Sequence, residues 1–536
     1  MTSRAIVSRR AAAVVALSLI AAACGSGQGA DDPASADAEP DAPADSAADA
    51  EPSGIGAELV VGATALPPGL GNPYASTLSG SAVKNVLPAV FDRLTQVTPE
   101  GVEPSLAESW TQNDDLVTWD FQLREGVEFS NGEVLDSTAV VKTFEYLLEG
   151  DGQSSQVASF LSGITGVEAV DDTTVRFTTQ PANPALPRDV TQAFIVPPDY
   201  FFEVGADAFA QDPVGTGPYQ AVSWTPDEVV LEPFDGSWRQ PTLQGITFQA
   251  LPDATSRLQA LESGQVNIAL SLPASLAAGL EKEGTSYDAV SQGTVLAIQF
   301  VNTKDETPLN DVRVRKALNL AVNRNEIIDS ILLGHSKPAN QGSVEGALGY
   351  VEEMPDYPHD PERARELLAE AGVEDGFEFL VQLSGEAGDT PDIMQAVAGY
   401  LERIGVTMQV EAIPFSQWLE NLLTNSFDGD AFSIGYTSQP DYNSLRAYKT
   451  VSCFREPAFW CEDDGVQTGL IENADAAESV EEFEAAMTEL GEWTHQNPPS
   501  LFILESVEFV GVTGPTVEVG FNPMGGLDVD QVRAEG

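Results

Sequence analysis

Adjacent pairs of acidic residues are the side chains of this chain best suited to acid–base chemistry. Two neighbouring carboxylates can divide the roles of general acid and general base in a hydrolytic reaction. Examples in the 536-residue sequence are Asp114-Asp115, Asp171-Asp172 and Asp463-Asp464. However, a chain with 83 Asp and Glu residues contains such pairs by chance, and Asp171-Asp172 stands at a predicted hairpin turn. A secreted hydrolase that uses an acid pair is therefore kept as the alternative function.

Other catalytic and metal-binding signatures are missing from the sequence. It contains no GxxxxGK[ST] phosphate loop, no GxSxG turn, no HExxH pair and no GxGxxG that opens a helix after a strand. Its 3 histidines, His335, His359 and His495, are widely separated and cannot supply a multi-histidine metal centre. We therefore assign no catalytic residue, no metal site and no cofactor, although a chelated metal could be held with little protein ligation.

The N-terminus has the composition of an export signal that ends at a cysteine. Three arginines precede the apolar run Ala11–Ala23, which is shorter than the roughly 20 residues needed to span a bilayer. Alanines lead directly into Cys24, as in a bacterial lipobox, where the thiol is lipidated and becomes the mature N-terminus. Residues 1–23 are thus predicted to be a signal peptide for Sec or Tat export, with Cys24 lipidated. The alternative is ordinary cleavage after Ala23, which would leave a free thiol.

Residues 25–54 form a low-complexity segment of Gly, Ser, Ala and Pro that carries eight acidic residues and no basic one. Such a composition cannot bury apolar surface, and its like charges keep it extended. We expect residues 24–54 to be a disordered acidic tether. It would hold a folded protein at the outer face of the cell membrane, or in the periplasm.

Acidic residues dominate the whole chain and restrict its partners. With 83 Asp and Glu against 25 Lys and Arg, the formal net charge is −58. A nucleic-acid binder, or a surface held to anionic lipid, needs clustered basic residues, so both classes are excluded. The excess of acid indicates an extracytoplasmic or salt-rich setting and says nothing about the fold.

Strand and helix patterns alternate after the tether. Apolar residues alternate with polar ones along Thr118–Leu123, which places Trp119, Phe121 and Leu123 on one face of a strand.

Helices are predicted at residues 83–94, where Pro88 marks a kink or a break, and after the capping residues Asp136, Asp311 and Asp360. The roughly 480 folded residues exceed what one core supports, so we expect a mixed α/β protein of two or three lobes.

The remaining cysteines, Cys453 and Cys461, are eight positions apart and match no CxxC redox motif. Outside the cytoplasm, two spare cysteines this close usually form a local disulfide. We expect a structural Cys453–Cys461 disulfide whose contribution to stability is no more than a few kcal/mol.

Eight short motifs follow one another along the chain. They are Pro104–Trp110, Thr118–Phe121, Leu123–Gly132, Pro213–Tyr219, Asp253–Asn267, Phe300–Thr303, Asp311–Arg324 and Asp360–Gly372. Each is weak alone. Together and in this order they resemble family 5 extracellular solute-binding proteins, the oligopeptide-, dipeptide- and nickel-type receptors of ABC importers. The residues of most of these motifs are typical of strands and tight turns, so we expect the motifs to form the scaffold rather than to contact the ligand.

The resemblance implies an α/β fold of two lobes that close on a ligand like a flytrap, with an extra N-terminal subdomain and a discontinuous first lobe. By this layout, lobe I comprises residues 55–97, 206–298 and 503–536. Residues 98–205 form the inserted subdomain, and residues 299–502 form lobe II. A ligand bound between the lobes favours the closed state through contacts made to both.

The resemblance also suggests where the ligand binds. Peptide-binding members carry a Gly-Trp-x-x-Asp-Tyr segment that supplies an aromatic wall and a carboxylate for the ligand's amino group. Here residues 435–443 read GYTSQPDYN, so Tyr436 takes the aromatic place, Gln439 stands at the Asp spacing and Asp441 follows two residues later. Either Asp441 reaches the ligand from a longer loop, or the ligand has no free amine. Asn72 and Tyr74, in the loop after the first strand, are weaker candidates.

The function implied by the resemblance is that of a substrate-binding lipoprotein of an ABC importer, without catalytic activity. It would capture a peptide or similar small organic solute and deliver it to a membrane permease, as a monomer. A signalling role in place of import remains open.

Overall fold

The computed structural model describes residues 56–67, 69, 71–75, 81–98, 100–161, 163–282, 284–303, 307–385, 388–437, 441–453, 458–461, 465–513, 517–522 and 525–534. The predicted signal peptide, Cys24, the tether, Gln439 and Asp463-Asp464 lie outside the described residues. Within the described part, no helix combines the length and apolarity needed to cross a lipid bilayer.

The strands of the described part are short, apart from two long ones. They are β1 (Gly56–Ala63), β2 (Thr95–Thr98), β3 (Gly101–Pro104), β4 (Ala107–Gln112), β5 (Thr118–Leu123), β6 (Ile164–Ala169), β7 (Thr174–Thr179), β8 (Tyr219–Trp224), β9 (Glu228–Pro233), β10 (Leu243–Ala250), β11 (Ile268–Leu272), β12 (Thr285–Phe300), β13 (Phe377–Ser384), β14 (Val406–Ile413), β15 (Ala431–Thr437), β16 (Ser500–Thr513), β17 (Val517–Glu518) and β18 (Arg533–Ala534).

The helices alternate with these strands along the chain. They are α1 (Ser81–Val90), α2 (Ser137–Leu148), α3 (Gln156–Phe160), α4 (Leu186–Asp189), α5 (Tyr200–Val204), α6 (Ala206–Phe209), α7 (Ala254–Glu262), α8 (Ala274–Ala277), α9 (Val312–Ala321), α10 (Arg324–Ile331), α11 (Pro361–Glu370), α12 (Thr390–Glu402), α13 (Phe415–Thr424), α14 (Leu445–Val451), α15 (Val466–Asp475) and α16 (Val480–Gln496).

Ten strands form one large sheet, in the order β14-β13-β15-β12-β16-β11-β1-β10-β9-β8. β1 runs parallel to β10 and β11, and β13 runs parallel to β14 and β15, as expected where helices connect successive strands. β12 and β16 lie antiparallel to each other between these two groups. The sheet therefore has two halves that are joined by its two longest strands.

β12 and β16 each contribute to both halves of the sheet. β16 pairs with β11 on one side, whereas β12 pairs with β15 on the other. The register between β12 and β16 shifts between Ser291 and Val295, and again between Leu296 and Ala297. Such irregularities interrupt the hydrogen-bond ladder and bend the strands locally. The two halves thus meet where the pairing is irregular.

The two faces of the large sheet pack against different apolar clusters. Leu59 and Val61 of β1 belong to one cluster, whereas Val60 between them packs against the other. The second cluster contains Leu272 of β11 as well as Val381 of β13, so it spans both halves of the sheet.

A second sheet, in the order β4-β5-β7-β6, packs against α2. Trp119, Phe121 and Leu123 are buried and alternate with half-buried positions along β5, which confirms the predicted face. Phe144 of α2 meets Phe177 of β7 edge to face, with ring centres 4.8 Å apart.

The predicted helix starts are confirmed. Asp136 accepts hydrogen bonds from backbone N–H groups in the first turn of α2, as Asp311 does for α9 and Asp360 for α11. Pro88 does not break α1, which contains it and ends at Val90 rather than at the predicted residue 94. Proline has no N–H to donate to the carbonyl four residues earlier, and that Lys84 oxygen instead accepts a hydrogen bond from Asn522 Nδ2 at 3.3 Å.

Candidate ligand-binding site

A buried ion pair lies beside the register shift that joins the two halves of the large sheet. Lys84 of α1 places Nζ 2.9 Å from Oε2 of Glu508 on β16, and the two side chains are only 3% and 9% exposed. Ser271 Oγ donates to the other carboxylate oxygen at 2.6 Å, and Lys84 Nζ also donates to the Gln292 side chain. Because Gln292 lies within the shifted segment of β12, these contacts connect α1 to the junction of the two halves.

Tyr436, the predicted aromatic wall, lies on β15 opposite Val295 of β12. Its side chain is 1% exposed, and its hydroxyl donates to Gln299 Oε1 at 2.6 Å and lies 2.8 Å from Ser500 Oγ. Burial raises the pKa of this phenol. A Cβ atom at Gly342 would stand 2.7 Å from the ring, so the ring needs a glycine there. In this conformation Tyr436 is an internally satisfied core residue.

Asp441 is fully buried, with 0% exposure, and forms an ion pair with Arg446 of α14. Burial raises the pKa of the Asp441 carboxyl, and the Arg446 guanidinium acts in the opposite direction. The guanidinium pairs with Oδ2, whereas Oδ1 is buried and accepts no hydrogen bond from the described residues. In this conformation Asp441 faces an internal cation and is not open to a ligand amine.

Arg446 also connects Asp441 to the region of the four-stranded sheet. Its guanidinium carbon lies 4.1 Å from the centre of the Phe160 ring. With the Gln192 amide oriented so that its oxygen accepts, Arg446 Nη1 donates to that oxygen at 2.9 Å. Arg188 Nη1, from the same region, donates to the backbone oxygen of Asp441 at 3.3 Å. These contacts hold α14 against α3 and α4.

A cavity of about 420 Å³, here called the α4–α14 cavity, opens beside this contact. One wall comes from residues 159, 160, 163, 180–185 and 189, and the other from residues 443, 445, 446, 449, 474, 475, 477 and 483. Asp189 lines it and accepts a hydrogen bond from Asn183 Nδ2 at 2.7 Å. Burial, reinforced by the neighbouring Asp441, raises the pKa of Asp189 to about 7.

Asn72 and Tyr74 lie in the described part of the loop after β1. Tyr74 is 4% exposed, and its hydroxyl donates to the backbone oxygen of Phe194 at 2.6 Å. Its ring packs against Tyr146 and Phe201, with centres 5.7 and 6.0 Å apart. Asn72 Oδ1 accepts from the Tyr74 N–H at 3.0 Å, and the Asn72 side chain stays half-buried. Tyr74 is thus a core residue in this conformation, while Asn72 shapes the loop.

The acid pairs that the structure describes cap turns. Asp115 accepts from the N–H groups of Val117 and Thr118, and Asp171 from that of Thr173. A hydrogen bond from the Thr118 side chain lowers the pKa of Asp115, and the Thr173 N–H lowers that of Asp171. A general acid at neutral pH needs a raised pKa, so both shifts run in the opposite direction.

In the part of the chain that the structure describes, no group of three or more His, Cys, Asp or Glu side chains is arranged to hold a metal ion.

The sequence analysis missed Arg188, Asp189 and Arg446. None of them belongs to a recognisable motif. Their contacts join residues about 250 positions apart, such as Arg188 and Asp441, which are separated by 253 positions. One feature of the sequence could have indicated an ion pair at Asp441. In a chain with only 25 basic residues, Arg446 and Lys449 both follow closely after Asp441.

The chain matches known proteins over most of its length. Residues 101–454 match the family described as bacterial extracellular solute-binding proteins, family 5, middle region. The glutathione-binding protein GsiB of Salmonella paratyphi A is 29% identical over 353 residues, which cover 65% of this chain and 68% of that protein. GsiB of Escherichia coli O157:H7 is 30% identical over 363 residues, with the same two coverages.

Solved structures of similar proteins share the fold. The substrate-binding protein CtaP of Listeria monocytogenes has a TM-score of 0.78 at 22% identity and covers 90% of this chain and 100% of its own. DppA of Helicobacter pylori, in complex with the peptide STSA, has a TM-score of 0.73 at 21% identity, with coverages of 90% and 99%. A dipeptide-binding protein of Pseudoalteromonas, in complex with Met-Leu, has a TM-score of 0.74 at 19% identity, with coverages of 89% and 100%.

The fold therefore defines a two-lobed α/β protein of the periplasmic-binding class. More particularly, the chain belongs to family 5 of the bacterial extracellular solute-binding proteins. The family resemblance and the fold class predicted from the sequence are confirmed. Members of this family are binding proteins, so the alternative of a secreted hydrolase is not supported.

Proposed function

We propose that this protein captures a peptide or a similar small organic solute between its two lobes and delivers it to the permease of an ABC importer. The match of residues 101–454 to the solute-binding family carries this proposal. Relatives named for glutathione binding, and similar structures that contain the peptide STSA or Met-Leu, support a peptide-like ligand.

We propose the lobe boundaries implied by the family layout. Lobe I consists of residues 55–97, 206–298 and 503–536, residues 98–205 form the subdomain, and residues 299–502 form lobe II. The register shifts between β12 and β16 support a hinge at the junction. A ligand that contacts both lobes shifts the equilibrium towards the closed form.

Asn72 and the segment around Gln439 are the proposed direct contacts to the ligand. Tyr436 is proposed to hold the end of β15, which precedes this segment in the chain, through its buried hydrogen bonds. Tyr74 is proposed to fix the loop that carries Asn72, and Asp441 to position the segment through its pair with Arg446.

We propose that the protein is a monomer, anchored by a lipid on Cys24 to the outer face of the cell membrane through the acidic tether. Cys453 and Cys461 have Cα atoms 5.1 Å apart, which lies within the usual range for a disulfide. We propose that they form a structural disulfide that closes the segment between them.

The proposal is tested by mass spectrometry of the solute that co-purifies with the protein, followed by thermal-shift titration with that solute. Saturable stabilisation, with the solute recovered intact, supports a receptor. Turnover of peptide probes that is lost when Asp115 and Asp171 are each changed to Asn would contradict it and favour a hydrolase.

A further inference from the structure

Asp189 is a carboxylate to which the proposed ligand contacts and lobe closure assign no role. It lies at the end of α4 and lines the α4–α14 cavity, and it keeps part of its surface accessible. Its Oδ2 accepts one hydrogen bond, from Asn183 Nδ2 at 2.7 Å. Among the described residues, Asp189 forms no salt bridge. A carboxylate that lines a cavity and forms no salt bridge can pair with a cation that enters the cavity.

The two basic side chains that line the cavity already have partners. Arg446 pairs with Asp441, and Lys449 pairs with Asp475 of α15. An anionic ligand would have to break one of these ion pairs. A cationic ligand can pair with Asp189 while both of them stay intact.

Charged groups of both signs surround Asp189. The nearby Asp441 adds to the effect of burial on the pKa of Asp189, and Arg446 and Lys449 offset it in part. Arg188, on the same short helix, interacts with Asp189 and Asp441, and the exposed Glu484 of α16 adds a further negative charge. A positive charge placed in the cavity would offset the repulsion between the two buried carboxylates.

The remaining lining fits the body of an organic cation. Phe160, Leu445 and Phe483 supply apolar surface, and Asn183 and Asn443 supply amides. The volume of about 420 Å³ falls at the lower end of the roughly 300–1,000 Å³ found for small-molecule sites. This is enough room for one residue of a peptide or for a compact amine.

We propose that the α4–α14 cavity binds the ammonium group of the captured solute, with Asp189 as its counter-ion. This inference rests on the proposed function, because it takes the ammonium group to belong to the captured solute. It assigns recognition of the cation to the predicted subdomain, since Asp441 is already paired with Arg446.

The test compares probes that carry a free amino group with the same probes after acetylation, which removes the positive charge and adds an acetyl group. Met-Leu and glutathione, each in its free form and with its amino group acetylated, are titrated into wild-type protein and followed by thermal shift and calorimetry. The free amine is expected to bind the wild type at least tenfold more tightly than its acetylated form. This comparison needs no variant.

The variant Asp189→Asn is expected to lose that preference. The matched control, Asp199→Asn, removes the same charge from a side chain that is 82% exposed in the same part of the chain, and it should keep the preference. Because the bound ammonium favours the ionised carboxylate, binding at pH 6.5 should release protons from the wild type. Calorimetry in buffers with different ionisation enthalpies measures this release, which Asp189→Asn should abolish.

Equal binding of free and acetylated probes, or an unchanged preference in Asp189→Asn, would overturn the inference and leave the proposed function standing. If no probe binds the wild type, the inference is overturned as well. The proposed function is then judged separately, by the solute that co-purifies.

Discussion

The hydroxyl of Tyr436 on β15 donates a 2.6 Å hydrogen bond to the side-chain oxygen of Gln299 on β12. Ser500 on β16 donates to the same oxygen at 2.9 Å. The Gln299 amide in turn donates to two backbone oxygens, those of Phe300 and Pro499. Three neighbouring strands are therefore tied together by buried side chains that satisfy one another.

Changing Tyr436 to Phe removes the hydroxyl from this network and leaves the Gln299 oxygen with one donor fewer. We expect the free energy of unfolding to fall by about 1–2 kcal/mol, as for other buried hydrogen bonds. Urea denaturation measures this loss, and ligand affinity should change by less than about twofold. Tyr287→Phe is the control, because its hydroxyl makes only an exposed 3.2 Å contact with His335. Unchanged stability together with lost binding would show that Tyr436 contacts the ligand directly.

The Lys84–Glu508 pair is expected to show strong coupling. Lys84→Met or Glu508→Gln alone leaves one buried group without its partner, and each should cost about 3 kcal/mol of stability. The double variant should cost clearly less than the sum, as a double-mutant cycle by urea denaturation will show. Lys282→Met, which breaks the exposed pair with Glu262, should cost less than about 1 kcal/mol. Additive losses at Lys84 and Glu508 would mean that the two side chains do not interact.

Asp189 is expected to make the stability of the protein depend on pH. Its pKa is raised to about 7 in the folded protein, whereas an Asp in an unfolded chain titrates near ~4. The folded state therefore binds more protons than the unfolded state between these values, and this residue's contribution to stability falls as the pH rises towards 7. Asp189→Asn should flatten the dependence of unfolding free energy on pH between about 5 and 7. An unaltered profile in Asp189→Asn, matching that of Asp199→Asn, would contradict the expectation.

Cys24→Ser is expected to release the protein from membranes, because the proposed lipid is attached through the Cys24 thiol. Fractionation of cells into membrane and soluble material, followed by immunoblotting, measures the distribution. Cys453→Ser serves as the control, since it alters a cysteine without touching the proposed anchor. Retention of Cys24→Ser on membranes would refute the lipid anchor.

Local features of the fold were predictable because they depend on neighbouring residues. Asp136, Asp311 and Asp360 cap the helices that follow them, and each cap involves residues no more than three positions away. The face of β5 followed from simple alternation of residues along Thr118–Leu123. The family motifs then supplied the order of these elements, and hence the fold class.

The surroundings of the candidate site were not predictable from local patterns. Burial of Asp441 depends on Arg188, which is 253 positions away, and on an arginine in the following helix. The hydroxyl of Tyr436 is satisfied by Gln299 and Ser500, 137 and 64 positions away. The sequence singled out the aromatic and acidic residues but contained no pattern for these distant partners.

The position of β16 between β11 and β12 has a consequence for how the fold is completed. β16 comprises residues 500–513 and is the last long strand among the described residues. Until it is synthesised, the strands on either side of it have no neighbour through which to join, and each half of the sheet carries an open edge. For an exported chain, assembly of the whole sheet must therefore wait until residue 513 has crossed the membrane.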